Sequence, residues 1–119
     1  MADRVVERAG VLVLVCDPDG APVAGPQDAL DLIGASYGAT DVVALPVARL
    51  DPRFFTLSNG LAGEIMQKFV NYRVRLAVVG DVSAHVATSN ALRDLIIESN
   101  RGKQIWFVDD LAALDARLT

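Results

Sequence analysis

The residues best placed to do chemistry in this sequence lie between Ser58 and Asn71. Glu64, Gln67, Lys68 and Asn71 follow one another at i, i+3, i+4 and i+7, which sets four hydrogen-bonding groups in one stripe on a helix. Two readings fit that stripe. It is a solvated face carrying a Glu64–Lys68 pair worth about a few tenths of a kcal/mol, or a recognition surface for a partner or a polar ligand. Ser58 stands immediately before the amphipathic run and is predicted to cap it, its hydroxyl accepting an otherwise unpaired backbone N–H. A helix start also tolerates a phosphate, and phosphorylation of Ser58 would add about −1.5 to −2 charge there. Asn59, Gly60 and Gly63 complete this candidate surface. The two glycines would let a partner backbone approach closely, or else let the helix pack closely on a sheet.

A second constellation is Glu64 and Asp81 with Arg73 or Arg101, which in one cleft would make a small-ligand site or an enzyme. Gly80-Asp81 follows an apolar strand at its carboxyl end, where open α/β sheets bind ligands. Asp81 serves there as a base or contact, or it closes a turn by accepting backbone N–H groups downstream with help from Ser83. His85, the only histidine, reads as a surface residue in a polar loop. Cys16 ends an apolar run and reads as a small core residue, with no neighbouring base to activate it as a nucleophile. One cysteine and one histidine supply no metal-ligand set, and no Gly-rich phosphate loop or dinucleotide fingerprint occurs. Neither a metal nor a cofactor is expected.

Composition narrows the classes further. At 119 residues there is room for about one domain, spanning 1–119, and 52% hydrophobic against 22% charged residues suffices for a packed core rather than disorder. A net charge of −4 argues against nucleic acid, whose phosphates need clustered Lys and Arg. The longest apolar run, Val11 to Cys16, is far short of the roughly 20 residues of a membrane span. No basic segment followed by an apolar stretch and cleavage site appears after Met1, so no secretion signal is expected and the predicted location is cytoplasmic.

The elements that must position these residues alternate between strand and helix. Val5-Val6 begins a short strand, and Gly10 separates it from the valine-rich run Val11 to Cys16, which suits a strand covered on both faces. These two are too close for a crossover and predict an antiparallel pair. Pro26 opens a helix to about Tyr37, with Gly38 in the left-handed position beyond it. Asp41 to Pro46 is a strand, and Asp51-Pro52 opens a turn carrying Phe54 and Phe55 into the core. From about Asn59 to Tyr72 the 3.6-residue period places Leu61, Ala62, Ile65, Met66, Phe69, Val70 and Tyr72 on one half of a helix. Leu76 to Val79 centres a fourth strand. A third helix from about Ser89 to Ser99 buries Leu92, Leu95 and Ile96, and left-handed geometry at Asn100 or Gly102 ends it, leaving Arg101 free to reach an anion. Gln104 to Val108 is the fifth strand, and Asp109 or Asp110 caps a last helix. The class is α/β, with a mixed, mostly parallel five-stranded sheet and about four helices.

The segments Asp28 to Ile33, Phe54 to Leu57, Gly60 to Arg73, Gly80-Asp81 and Glu98 to Gly102 resemble a bacterial family known only as domain of unknown function 4180. The element order also resembles STAS domains, the anti-sigma-factor antagonists and sulfate-transporter modules. The antagonists begin their second helix with Phe-Met-Asp-Ser-Ser-Gly-Leu-Gly, to which Phe55-Thr56-Leu57-Ser58-Asn59-Gly60-Leu61-Ala62 is similar. That resemblance implies that Ser58 falls on the position a kinase-type anti-sigma factor phosphorylates, although the antagonists' Asp before that serine is Leu57 here. It implies a non-enzymatic, STAS-like regulatory module that binds a protein partner through Ser58 to Gly63 and the Glu64–Asn71 stripe. The rival is the Glu64, Asp81, Arg73 or Arg101 cleft. A third reading is a homodimer, with sheet edges and the Phe54–Phe55 corner buried against a second copy.

Overall fold

Ala9 and Gly10 both take positive φ, 51° and 79°. A two-residue connection of this hand matches the twist of the strands it joins, so it folds Arg4–Arg8 (β1) back onto Val11–Val15 (β2) as an antiparallel hairpin, Arg8 opposite Val11. The computed structural model describes residues 3–119, and the first two residues of the expected 1–119 domain lie outside the described residues. Beyond the hairpin come Pro26–Ser36 (α1), Val42–Pro46 (β3), Leu61–Asn71 (α2), Arg75–Val79 (β4), Ser83–Val86 (α3), Asn90–Arg101 (α4), Ile105–Val108 (β5) and Leu111–Leu118 (α5). The sheet order is β1-β2-β3-β4-β5, with β2 to β5 parallel. The fold is the expected α/β single layer of five strands.

Sequential parallel strands joined by crossovers of one hand place their connecting helices on one face. Residues of α1, α2 and α4 accordingly form one buried cluster with Leu14, Val43, Leu45, Leu76, Val78, Ile105 and Phe107. The alternate strand residues Val13, Val42, Ala44, Ala77, Trp106 and Val108 face the other side, where Leu114 of α5 covers them. A bidentate ion pair from Arg8 to Asp115, 2.7 and 2.8 Å, ties α5 to the hairpin. The continuous apolar runs of the central strands follow from this two-sided cover.

Helix ends depart from the sequence reading in instructive ways. α1 starts at Pro26 and stops at Ser36, one residue early, with Gly38 at φ 75°. α4 runs two residues past the expected Ser99. Neither Asn100 nor Gly102 is left-handed, and Gly102 has φ −88°. Asn100 has a different task. Its amide donates to the Phe107 carbonyl at 3.1 Å and its side-chain oxygen accepts the Phe107 N–H at 2.8 Å, pairing an outer backbone position of the edge strand β5. Asp110, not Asp109, caps α5 by accepting the Ala113 N–H at 2.8 Å.

Arg49, to which the sequence draws no attention, is only 7% exposed. Its Nε donates to the Ala21 carbonyl at 2.9 Å and its Nη1 to Asp3 at 2.8 Å, while Asp3 also accepts the Asp17 N–H. This closes a corner at the carboxyl end of β2 and β3, around Cys16. Cys16 is buried as expected, and burial, with the nearby Asp3 carboxylate adding to it, pushes the thiol up to about 12.

Candidate functional site

The leading end of α2 is assembled by two single turns, Pro52–Phe55 and Leu57–Asn59. Asp51 accepts the Arg53 N–H at 2.9 Å and starts the first, and the Arg53 guanidinium beside it holds the Asp51 carboxyl below the usual carboxylate range. Phe54 and Phe55 go into the core, as predicted. That burial leaves little of the Phe54–Phe55 corner for a second copy to cover.

The cap of α2 is not Ser58. Gly60, at φ 79°, turns the chain into the helix, and the side chain that meets the helix start is Asn59. Its oxygen accepts the Leu61 N–H at 2.9 Å and its amide donates to the Arg53 carbonyl at 2.9 Å. The carboxamide sets its donor and its acceptor on two separate atoms, and here each serves a different turn. Ser58 is left exposed, its hydroxyl without a hydrogen-bond partner among the described residues.

Ala62, Ile65 and Phe69 of α2 are buried against the sheet, whereas Val70 and Tyr72, expected inside, are 42% and 50% exposed. Glu64, Gln67 and Asn71 are exposed and Lys68 half-buried. The link within the stripe is a hydrogen bond from Gln67 to Asn71, 2.8 Å. No Glu64–Lys68 ion pair forms among the described residues. Gly60 and Gly63 lie on this outer side, and a Cβ at either would meet nothing within 4 Å. Close packing of the helix on the sheet is therefore not what these glycines serve. Two shallow grooves meet at them. One, of about 400 Å³, runs between α2 and α4 over Leu57, Met66, Val70 and Leu95. The other, of about 650 Å³, lies between α2 and Pro26, bordered by Glu64, Gln67 and Lys68.

The family model described as Domain of unknown function (DUF4180) matches residues 8–118. The chain belongs to that family. No curated protein and no solved structure matches it. In this DUF4180 chain the matched span takes in every element from the end of β1 through α5.

Glu64, Arg73, Asp81 and Arg101 are not brought into one cleft. Arg73 precedes β4 and Asp81 follows it, so they stand at opposite ends of a five-residue strand, on the order of 16 Å of extended chain. Arg73 takes φ 57° and ends α2: its N–H bonds the Val70 carbonyl and the Val74 N–H the Phe69 carbonyl, closing the helix in a Schellman turn. Arg101 faces Glu98 at 3.5 Å on the exposed surface of α4. Asp81 has its turn role. It accepts the Ser83 N–H at 2.8 Å, and that backbone bond, with the Ser83 side chain, lowers its pKa.

His85 is not the surface residue the sequence suggests. It is half-buried with its ring stacked on Phe55, centroids 4.0 Å apart and planes 11° from parallel. Only tertiary contact across the intervening chain creates that pair, and no local signal in the sequence marks it. No group of three or more His, Cys, Asp or Glu among the described residues is placed to hold a metal ion, and no helix among them is long and apolar enough to cross a membrane.

Proposed function

We propose that this DUF4180 domain is a non-enzymatic, STAS-like interaction module that docks a cytoplasmic protein partner on the leading end and polar face of α2. The observation that carries the reading is Gly63. A glycine in a helix costs about 0.5–1 kcal/mol relative to alanine. Here nothing inside the molecule requires it, because the space beyond its missing side chain is empty. A partner backbone laid across α2 needs that space. The two flanking grooves offer apolar floor on one side and the Glu64, Gln67 and Lys68 side chains on the other. Ser58 is the modification point of this surface. Its exposed hydroxyl is accessible to a kinase, and a phosphate there would repel an acidic partner.

The test is affinity capture from the native cell with the intact protein and two variants, Gly63→Leu and the double variant Gln67→Ala/Asn71→Ala, alongside mass measurement of the recovered chain for added phosphate. A specific co-eluting protein should be lost in Gly63→Leu and weakened about tenfold in the double variant, with circular dichroism unchanged. Retention of that protein by both folded variants would remove this surface from the interaction.

A further inference from the structure

The cleft beside His85 adjoins the α2 surface at Leu57 and Ser58 and otherwise lies outside it. It holds about 380 Å³ and sits where the chain leaves β3 and β4, at the carboxyl end of the parallel strands. Phe55, Thr56, Ser58, His85, Thr88 and Ser89 line it, and no carboxylate, lysine or arginine does. The stack on Phe55 fixes the imidazole plane. Neither ring nitrogen has a hydrogen-bond partner among the described residues, and the same holds for the Thr56 and Ser58 hydroxyls. The Thr88 hydroxyl is engaged with the His85 carbonyl, 3.3 Å. The Ser89 oxygen accepts the Leu92 N–H at 3.1 Å, which leaves its own O–H to donate.

We propose that this cleft binds a small phosphate monoester, with a His85 ring N–H and the Thr56, Ser58 and Ser89 hydroxyls as its donors. The inventory matches a tetrahedral anion. Three hydroxyls and an imidazole present at least four donors, which the three terminal oxygens of a phosphate monoester can accept from several directions while carrying more negative charge than a carboxylate. Nearby charges are already committed. Asp51 and Arg53 pair with each other, Asp81 turns onto the Ser83 N–H, and Arg93 bonds Asn90. An anion entering the cleft therefore meets donors without a facing carboxylate.

The experiment follows the His85 ring C–H resonances of the protein during titration with phenyl phosphate at a fixed pH. A saturable shift is expected at millimolar concentrations or below. His85→Phe keeps a flat ring against Phe55 while removing both nitrogens, so binding to that variant, followed by the Thr and Ser amide resonances, should weaken about tenfold or more. Ser58→Ala should weaken it less, and acetate should bind more weakly than phenyl phosphate. Absence of a saturable shift, undiminished binding by folded His85→Phe, or acetate binding as tightly as phenyl phosphate would each overturn the proposal. None of these outcomes bears on the α2 docking surface, whose glycine variants leave the cleft intact.

Discussion

Gly20 and Gly63 are the same residue used for opposite purposes. A Cβ at Gly20 would come within 2.7 Å of the Arg49 guanidinium carbon, whereas one at Gly63 would meet nothing within 4 Å. Around Gly20 everything is consumed internally: Arg49 is spent on Asp3 and the Ala21 carbonyl, and Asp3 also holds the Asp17 N–H. Around Gly63 the polar side chains stop at a link between Gln67 and Asn71, and the rest face outward. The first glycine is explained by the fold. The second is not, and that difference is the physical reason to look for a partner at α2 and not at the Arg49 corner.

The comparison breaks most sharply at Arg49. Arg49→Ala strands the Ala21 carbonyl and unpairs Asp3 at a site that is nearly closed to water, and should lower stability by about 3 kcal/mol in urea unfolding. Asp3 is partly exposed, which tempers the penalty below that of a fully buried pair. A loss under about 1 kcal/mol would show that the corner is not the internally committed region described here.

Cys16 tests the same corner by pH. Its thiol ionises near 9.0 when unfolded and near 12 when folded, because burial disfavours the thiolate. Between those values the unfolded chain has released a proton that the native chain keeps, so the native state loses stability as pH rises. The contribution is fully present below about pH 9 and should decline by about 2 kcal/mol at roughly pH 10.5. Other groups titrate in that window, so the measurement is the difference in alkaline slope between the protein and Cys16→Ala. Equal slopes would place the thiol in a wetter site than its burial indicates.

How much of this was readable beforehand follows the range of the interactions involved. The strands, the hairpin at Gly10 and the period of α2 rest on contacts within a few residues, and composition and spacing carry them. The cap of α2 failed by one residue. Ser58 and Asn59 are both good cap residues, and only the left-handed turn at Gly60 decides which side chain faces the helix start. Arg49, Asn100 and His85 failed for a different reason. A lone arginine, a helix-end asparagine and a loop histidine each look solvated until a distant segment arrives: Asp3 for the first, the β5 edge for the second, Phe55 for the third. The glycines stood between these cases. For Gly60 and Gly63 the sequence allows packing on the sheet or close approach of a partner, and the empty space at both Cβ positions removes the first, while the left-handed φ of Gly60 is itself a reason for glycine there.

The smallest expected effect carries the most about function. Gly63→Ala adds one methyl to the first turn of α2, at an exposed site with ordinary helical φ, and removes backbone freedom from the unfolded chain. Thermal and urea unfolding should show a gain of about 0.5 kcal/mol, since alanine is the better helix former and no neighbour has to move. If a partner backbone lies across α2 as proposed, the added methyl stands in the space it would occupy. The gain should therefore come with weakened partner capture, stability and binding moving in opposite directions. Alanine at Gly20 would instead press on Arg49 and destabilise. If Gly63→Ala proved destabilising, the space over α2 would not be open, and the two glycines would no longer differ in kind.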